Sequence, residues 1–148
     1  LEIKIKSKIN YSFLVRKSGE YQTLNVQEIN TTQKYLTGYY DIELLTIPRI
    51  KFDSVRINQS STTTYTLPPP GLANIILPSN GYGGVYLKND DKIEEIYSFK
   101  GDKSQYRLTL LPGKYLVIFR SKSSKKYLYT SEEEFKIKSG KSQLIKIY

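Results

Sequence analysis

The chain is predicted to be all-β, built as two tandem antiparallel β-sandwich modules, and three observations lead there. First, apolar and polar residues alternate with a period of two: Leu1, Ile3 and Ile5 against Glu2, Lys4 and Lys6, and Tyr40, Ile42 and Leu44 against Asp41 and Glu43. Such alternation turns one face of a strand to a core and the other to water. No window carries a convincing apolar stripe at helical spacing. Second, a Gly-x-Tyr element opens an alternating strand twice, as Gly38-Tyr39-Tyr40 and as Gly113-Lys114-Tyr115. The first copy runs on through Ile42, Leu44, Phe52, Val55 and Ile57, the second through Val117, Phe119, Phe135 and Ile137, so the segment is an internal repeat. The offset is 75 at the tyrosines and 80 at Ile57 and Ile137, which assigns five extra residues to the hairpin region of the second copy. Third, Pro68-Pro69-Pro70-Gly71 interrupts the pattern midway. Three prolines fix φ and cannot join a central ladder, so they read as a stiff connector. The modules are therefore assigned to residues 1–70 and 71–148.

In chain order, strands are expected near 2–8, 11–16, 21–26, 39–47, 52–57 and 62–67 in the first module. In the second they are expected near 73–77, 83–88, 92–98, 106–111, 115–121, 126–130, 134–138 and 142–148. Turn residues fall between them at Lys17-Ser18-Gly19, Asn89-Asp90-Asp91, Gly101-Asp102 and Ser139-Gly140. Asn25 to Leu36 is the best candidate for a short helical turn, although Asn30, Thr31 and Thr32 suit a loop equally well. Each module is close to the lower size limit for an independent core, and with no cysteine no disulfide can compensate. Gly38 and Gly113 are read as permitting a tight start to their strands. Tyr40 and Tyr115 are read as core residues whose hydroxyls bond back to the preceding loop, as in the tyrosine corner of Greek-key sandwiches.

The segment Leu110-Leu111-Pro112-Gly113-Lys114-Tyr115-Leu116-Val117-Ile118-Phe119-Arg120 resembles the signature of transthyretin-like, carboxypeptidase-regulatory-type sandwiches. Together with Tyr40 through Ile50, the Leu67 to Gly71 junction and Phe135-Lys136-Ile137-Lys138-Ser139-Gly140, it is similar to the C-terminal region of von Willebrand factor A domain proteins of Bacteroidetes. That resemblance implies an accessory region exported with its parent, in the periplasm or at the cell surface. It implies no metal site, since Asp102-Lys103-Ser104-Gln105-Tyr106 departs from the Asp-x-Ser-x-Ser adhesion motif. The start at Leu1, not methionine, leads us to expect a processed part of a longer chain, and no apolar run approaches the ~20 residues of a membrane span.

With no histidine and no cysteine, the chain lacks Ser-His-Asp and Cys-His nucleophiles, imidazole bases and His/Cys zinc sites. No catalytic residue, metal ligand or cofactor is assigned, and we expect a non-enzyme. Asp90, Asp91, Glu94 and Glu95, and the run Glu132 to Glu134, lack calcium-loop spacing and read as a turn and a solvated strand edge. Gly81-Tyr82-Gly83-Gly84 has no Lys-Ser/Thr ending, so its glycines read as a bulge or a close strand approach, not a phosphate loop. The Asn-x-Ser/Thr triplets at Asn10, Asn30 and Asn58 are expected by chance in such a composition. The net charge is +9, and its densest stretch is a hairpin loop holding Arg120, Lys122, Lys125 and Lys126 with Tyr127 and Tyr129. These six residues are the candidate contacts for an anionic partner, against the alternative of a lysine-rich edge that blocks strand aggregation. The expected function is non-catalytic spacing or docking, with a protein as partner, either an upstream domain or another surface protein. A carbohydrate- or polyanion-binding module is the alternative, with an anionic glycan ahead of nucleic acid.

Overall fold

A computed structural model describes residues 2–7, 9–59, 62–122 and 130–148. Among them there is no helix, and the chain divides into two compact units, Leu1–Pro69 and Pro70–Tyr148.

The first unit holds β1 (Glu2–Lys6), β2 (Ser12–Lys17), β3 (Asn25–Glu28), β4 (Gln33–Lys34), β5 (Gly38–Leu44), β6 (Ile50–Ile57) and β7 (Thr62–Thr66). They form a three-stranded sheet of order β4-β1-β7 and a four-stranded antiparallel sheet of order β3-β2-β5-β6. The first and last strands of the unit, β1 and β7, run parallel, with Glu2 opposite Thr62. The second unit holds β8 (Gly71–Ile76), β9 (Gly81–Asn89), β10 (Lys92–Lys100), β11 (Gln105–Leu110), β12 (Gly113–Ser121), β13 (Thr130–Ile137) and β14 (Ser142–Lys146). Its sheets have the orders β11-β8-β14 and β10-β9-β12-β13, and β8 and β14 are again parallel. Adding seven to each strand number of the first unit reproduces the second, so the repeat extends to every strand pairing.

Alternation in the sequence becomes alternation in burial. Phe13 and Val15 of β2 and Ile42 and Leu44 of β5 are buried, as are Val55 and Ile57 of β6, in one cluster with Tyr35, Tyr40 and Leu67. Tyr65 of β7 stacks on Phe52 of β6 at 4.2 Å, a ring contact that joins the two sheets across this core. In the second unit Tyr106, Leu108 and Leu110 of β11 are buried, as are Val85, Tyr115, Val117, Phe119 and Phe135 of the other sheet. Here Tyr106 of β11 meets Phe99 of β10 at 4.5 Å and again joins the sheets. A fully buried side chain of this kind stabilises by roughly 1.5–3 kcal/mol, so ten or more per unit supply the driving force that a missing disulfide would otherwise add.

Several boundaries differ from the sequence reading. The strand expected at 21–26 lies at Asn25–Glu28, and the segment read as a helical turn carries β3 and the two-residue β4. Its polar residues bond within the segment: Tyr35 donates to Gln27 Oε1 at 2.8 Å and Gln27 Nε2 to the Thr31 carbonyl at 3.0 Å, which satisfies the buried Gln27 amide. The strand expected near 126–130 lies outside the described residues except for Thr130, which begins β13, and Lys125, Lys126, Tyr127 and Tyr129 lie outside them too. The five extra residues fall between Tyr115 and Ile137, where β12 runs to Ser121 before β13 begins at Thr130. Gly113 has no positive φ, and a Cβ there would meet the Tyr115 ring at an ordinary 3.6 Å, so the tight strand start expected of it is not sterically required.

Candidate functional site

The outward face of the sheet β10-β9-β12-β13 gathers most of the chain's distinctive polar chemistry. Strand register sets its rows. Tyr86 of β9 lies opposite Leu116 of β12 and Glu95 of β10, and Leu116 lies opposite Glu134 of β13. Toward one end of the sheet come Lys88 on β9 and the directly opposed pair Lys114 and Lys136 on β12 and β13. Toward the other end, Tyr82 stands between Lys100 of β10 and Arg120 of β12, directly opposite both. Lys122 follows in the turn, its backbone N–H donating to the Asn80 carbonyl at 3.1 Å.

Lys88 bonds Glu134 across the intervening strand β12, and this cation holds the Glu134 carboxyl below its usual range. The bridge crosses the strand that carries Leu116, a residue only 5% exposed although it sits on the outward face. Tyr86 donates to Glu95 Oε2 at 2.9 Å; burial first and then this carboxylate push the phenol up. Beside the bridge lies an open depression of about 830 Å³ lined by Lys88, Lys114, Lys136, Glu134, Asp90 and Tyr115.

At the Tyr82 end the glycines determine what is presented. Gly83, at φ +130°, sits on the core face between Phe99 and Phe119, and a Cβ there would come within 1.9 Å of the Ile118 carbonyl oxygen. A Cβ on Gly84 would lie 2.2 Å from the Tyr97 carbonyl oxygen. The glycine run is therefore a close strand approach, next to a bulge in β10 between Glu95 and Tyr97, opposite Tyr86 and Val85. Gly101 lies against the Tyr82 ring, whose atoms would be 3.1 Å from a Cβ there, while the tyrosine remains 43% exposed.

The equivalent face of the first unit is dressed differently. With Tyr40 and Tyr115 aligned, the positions of Leu116 and Ile118 are held by Asp41 and Glu43. Glu43 is clamped by Arg16 at 2.9 Å and Arg49 at 3.0 Å, which hold its carboxyl low. Asp41 accepts from Ser54 N at 2.9 Å, Ser18 Oγ at 2.8 Å and Gly19 N at 3.2 Å, and these bonds, Ser54 foremost, hold its carboxyl low as well. They fasten the bulge in β6, where Ser54 takes φ +53°, to the β2–β3 turn. Both carboxylates are thus held within the first unit's face, Glu43 by cations and Asp41 by neutral donors. The first unit carries 9 Lys and Arg against 6 Asp and Glu, net +3, and the second 14 against 8, net +6.

Of the six residues proposed from sequence, the structure places Arg120 half-buried on β12 and Lys122 exposed in the turn after it. The structural pair Tyr40 and Tyr115 is 4% and 1% exposed. Sequence reasoning missed Tyr82, Lys88, Lys100, Lys114 and Lys136, because their adjacency is made by register between strands far apart in the chain. The signal available was a cation or tyrosine at outward positions of successive strands. Among the described residues no group of three or more His, Cys, Asp or Glu side chains is placed to hold a metal ion, and no helix is long and apolar enough to cross a membrane.

No family model matches the chain, and neither does any curated protein. Among solved structures it is similar to one described as the Bacillus anthracis TIE protein, with 12% identity and a TM-score of 0.40. The match covers 99% of this chain and 32% of that one.

Proposed function

We propose that this chain is a non-catalytic interaction region of an exported protein, made of two tandem transthyretin-like β-sandwich modules that space or dock a larger assembly. The observation that carries the reading is the strand-for-strand equivalence of the two units, including the parallel pairing of first and last strands. Duplicated sandwiches without histidine or cysteine suit mechanical spacing and surface display better than catalysis. The cationic face of the second unit favours a second, compatible reading, in which the docked partner is a polyanion.

Hydrogen exchange on the intact chain tests the modular part. Tyr115→Ala should raise exchange in residues 70–148 and leave residues 1–69 protected, whereas loss of protection throughout would overturn two modules. Retention on immobilised acidic polysaccharide at low and high salt tests the partner class. Charge-driven binding should fall steeply with salt, and an acidic protein retained while every polysaccharide passes through would favour docking alone.

A further inference from the structure

Lys100, Tyr82 and Arg120 stand side by side on adjacent strands β10, β9 and β12, on one outward face. The two cations are two strand spacings apart, about 10 Å between their backbones. Between them is an aromatic ring backed by Gly101, a residue with no side chain to displace it. Lys122 extends the positive charge beyond Arg120; the carboxylates near the row are Asp102, in the bend past Gly101, and Glu132, diagonal to Arg120 on β13. The corresponding row of the first unit lacks such an arrangement: with Leu44 and Phe13 aligned on Phe119 and Gly83, Leu45, Ser12 and Glu28 stand where Arg120, Tyr82 and Lys100 stand here.

We propose that this row binds an acidic polysaccharide, with the Tyr82 ring stacking on a pyranose face while Lys100, Arg120 and Lys122 meet its carboxylates or sulfates. An exposed phenol on a rigid strand offers a flat apolar surface at low entropic cost. Cations on both sides place charge where successive anionic groups of a chain crossing the strands would fall. Single-stranded nucleic acid is the less suitable occupant, because it is held by successive stacked bases along a groove, and among the described residues this row holds one ring. The proposal rests on the polyanion reading above and assigns it a residue set.

The intact chain is titrated with polygalacturonate, whose anion is a carboxylate, with chondroitin sulfate, which adds sulfate, with neutral dextran and with oligo(dT). At least one acidic glycan should bind and dextran should not. Tyr82→Ala should weaken that glycan by roughly tenfold or more, while Tyr82→Phe keeps the stack and most of the affinity. Lys100→Ser should lower affinity and reduce the salt slope by about one. Unfolding midpoints of all variants close to the parent's show that the scaffold is intact. Unchanged binding by Tyr82→Ala overturns the proposal, as does oligo(dT) binding more tightly than both glycans. If the variant Lys122→Ser, Lys125→Ser, Lys126→Ser releases the glycan while Tyr82→Ala does not, the loop is the site: this assignment falls and the polyanion reading stands. If the parent binds no acidic glycan at low salt, both fall.

Discussion

Tyr40 and Tyr115 occupy the same place in the two units, each donating its hydroxyl to the carbonyl oxygen four residues back, at Leu36 and Leu111 respectively. The ring of each lies in the core, against Tyr35 at 5.5 Å in the first unit and against Phe135 at 5.5 Å in the second. One side chain thus ties the start of a central strand to the loop before it and fills the core beneath.

Removing the hydroxyl alone should separate these two roles. Tyr115→Phe keeps the ring and leaves the buried Leu111 carbonyl without its donor, at a cost of about 1 kcal/mol. Tyr115→Ala also empties a core position and should cost about 3–5 kcal/mol. Urea denaturation of both variants checks the ordering; equal losses would mean that the ring contributes nothing.

The same phenol predicts an alkaline limit. Burial pushes its ionisation from an ordinary 10.0 up to about 12. Because the folded value is raised, keeping the phenol neutral contributes stability that is fully present below about pH 10 and lost as pH rises through about 12. Unfolding midpoints measured between neutral pH and pH 12 should fall less steeply for Tyr115→Phe than for the parent, and parallel curves would contradict this origin.

At the acid end the sign reverses. Asp41 is held low by the Ser54 N–H, the Ser18 hydroxyl and the Gly19 N–H, so its contribution is present above the ordinary 3.8 and lost as pH falls through the lower folded value. Asp41→Asn should be less stable than the parent at neutral pH, and the difference should shrink as pH drops below the ordinary carboxylate range. Chemical denaturation at neutral and strongly acidic pH decides it; a constant difference would point to lost shape complementarity instead of lost charge.

Much of the fold was legible because each strand carries its own evidence in alternating residues. The Gly-x-Tyr copies marked β5 and β12 within two residues of their observed starts, and the hairpin turn at Asp90 and Asp91 joins β9 to β10 as expected. What was not legible depends on partners distant in sequence. The two-residue β4 has no periodicity of its own and exists because Gln33 and Lys34 pair with β1. The parallel β1–β7 and β8–β14 pairings join the ends of each unit, a register that no local pattern encodes. The cationic row was hidden for the same reason: Tyr82 looked like a residue among glycines until β10 and β12 set Lys100 and Arg120 beside it.

The glycines of β9 should be intolerant in proportion to what their missing Cβ would meet. Gly84→Ala drives a methyl to within 2.2 Å of the Tyr97 carbonyl oxygen, which is backbone in a paired strand and cannot swing aside. Gly140→Ala, at φ +69° with nothing within 4 Å, brings only left-handed strain, about 1 kcal/mol. Thermal unfolding should therefore show a much larger loss for Gly84→Ala, and comparable losses would show that β9 and β10 part easily.

Leu116 tests whether the outward face of the second unit is a covered surface or open water. On a sheet with one solvated face its truncation would cost little, since an exposed substitution usually stays within ~0.5 kcal/mol. Here the Lys88–Glu134 bridge crosses the strand that carries Leu116, Tyr86 lies opposite, and the side chain is 5% exposed. The long stems of lysine and glutamate cover apolar surface while their charged ends stay in water. Leu116→Ala should then cost about 2–3 kcal/mol, as for a core leucine with partial collapse. Leu144→Ala, on β14 and 61% exposed, should cost almost nothing. If Lys88→Ala lowers the cost of a following Leu116→Ala in a double-mutant cycle, the bridge is the cover. Additive losses would instead assign the burial of Leu116 to Tyr86 alone.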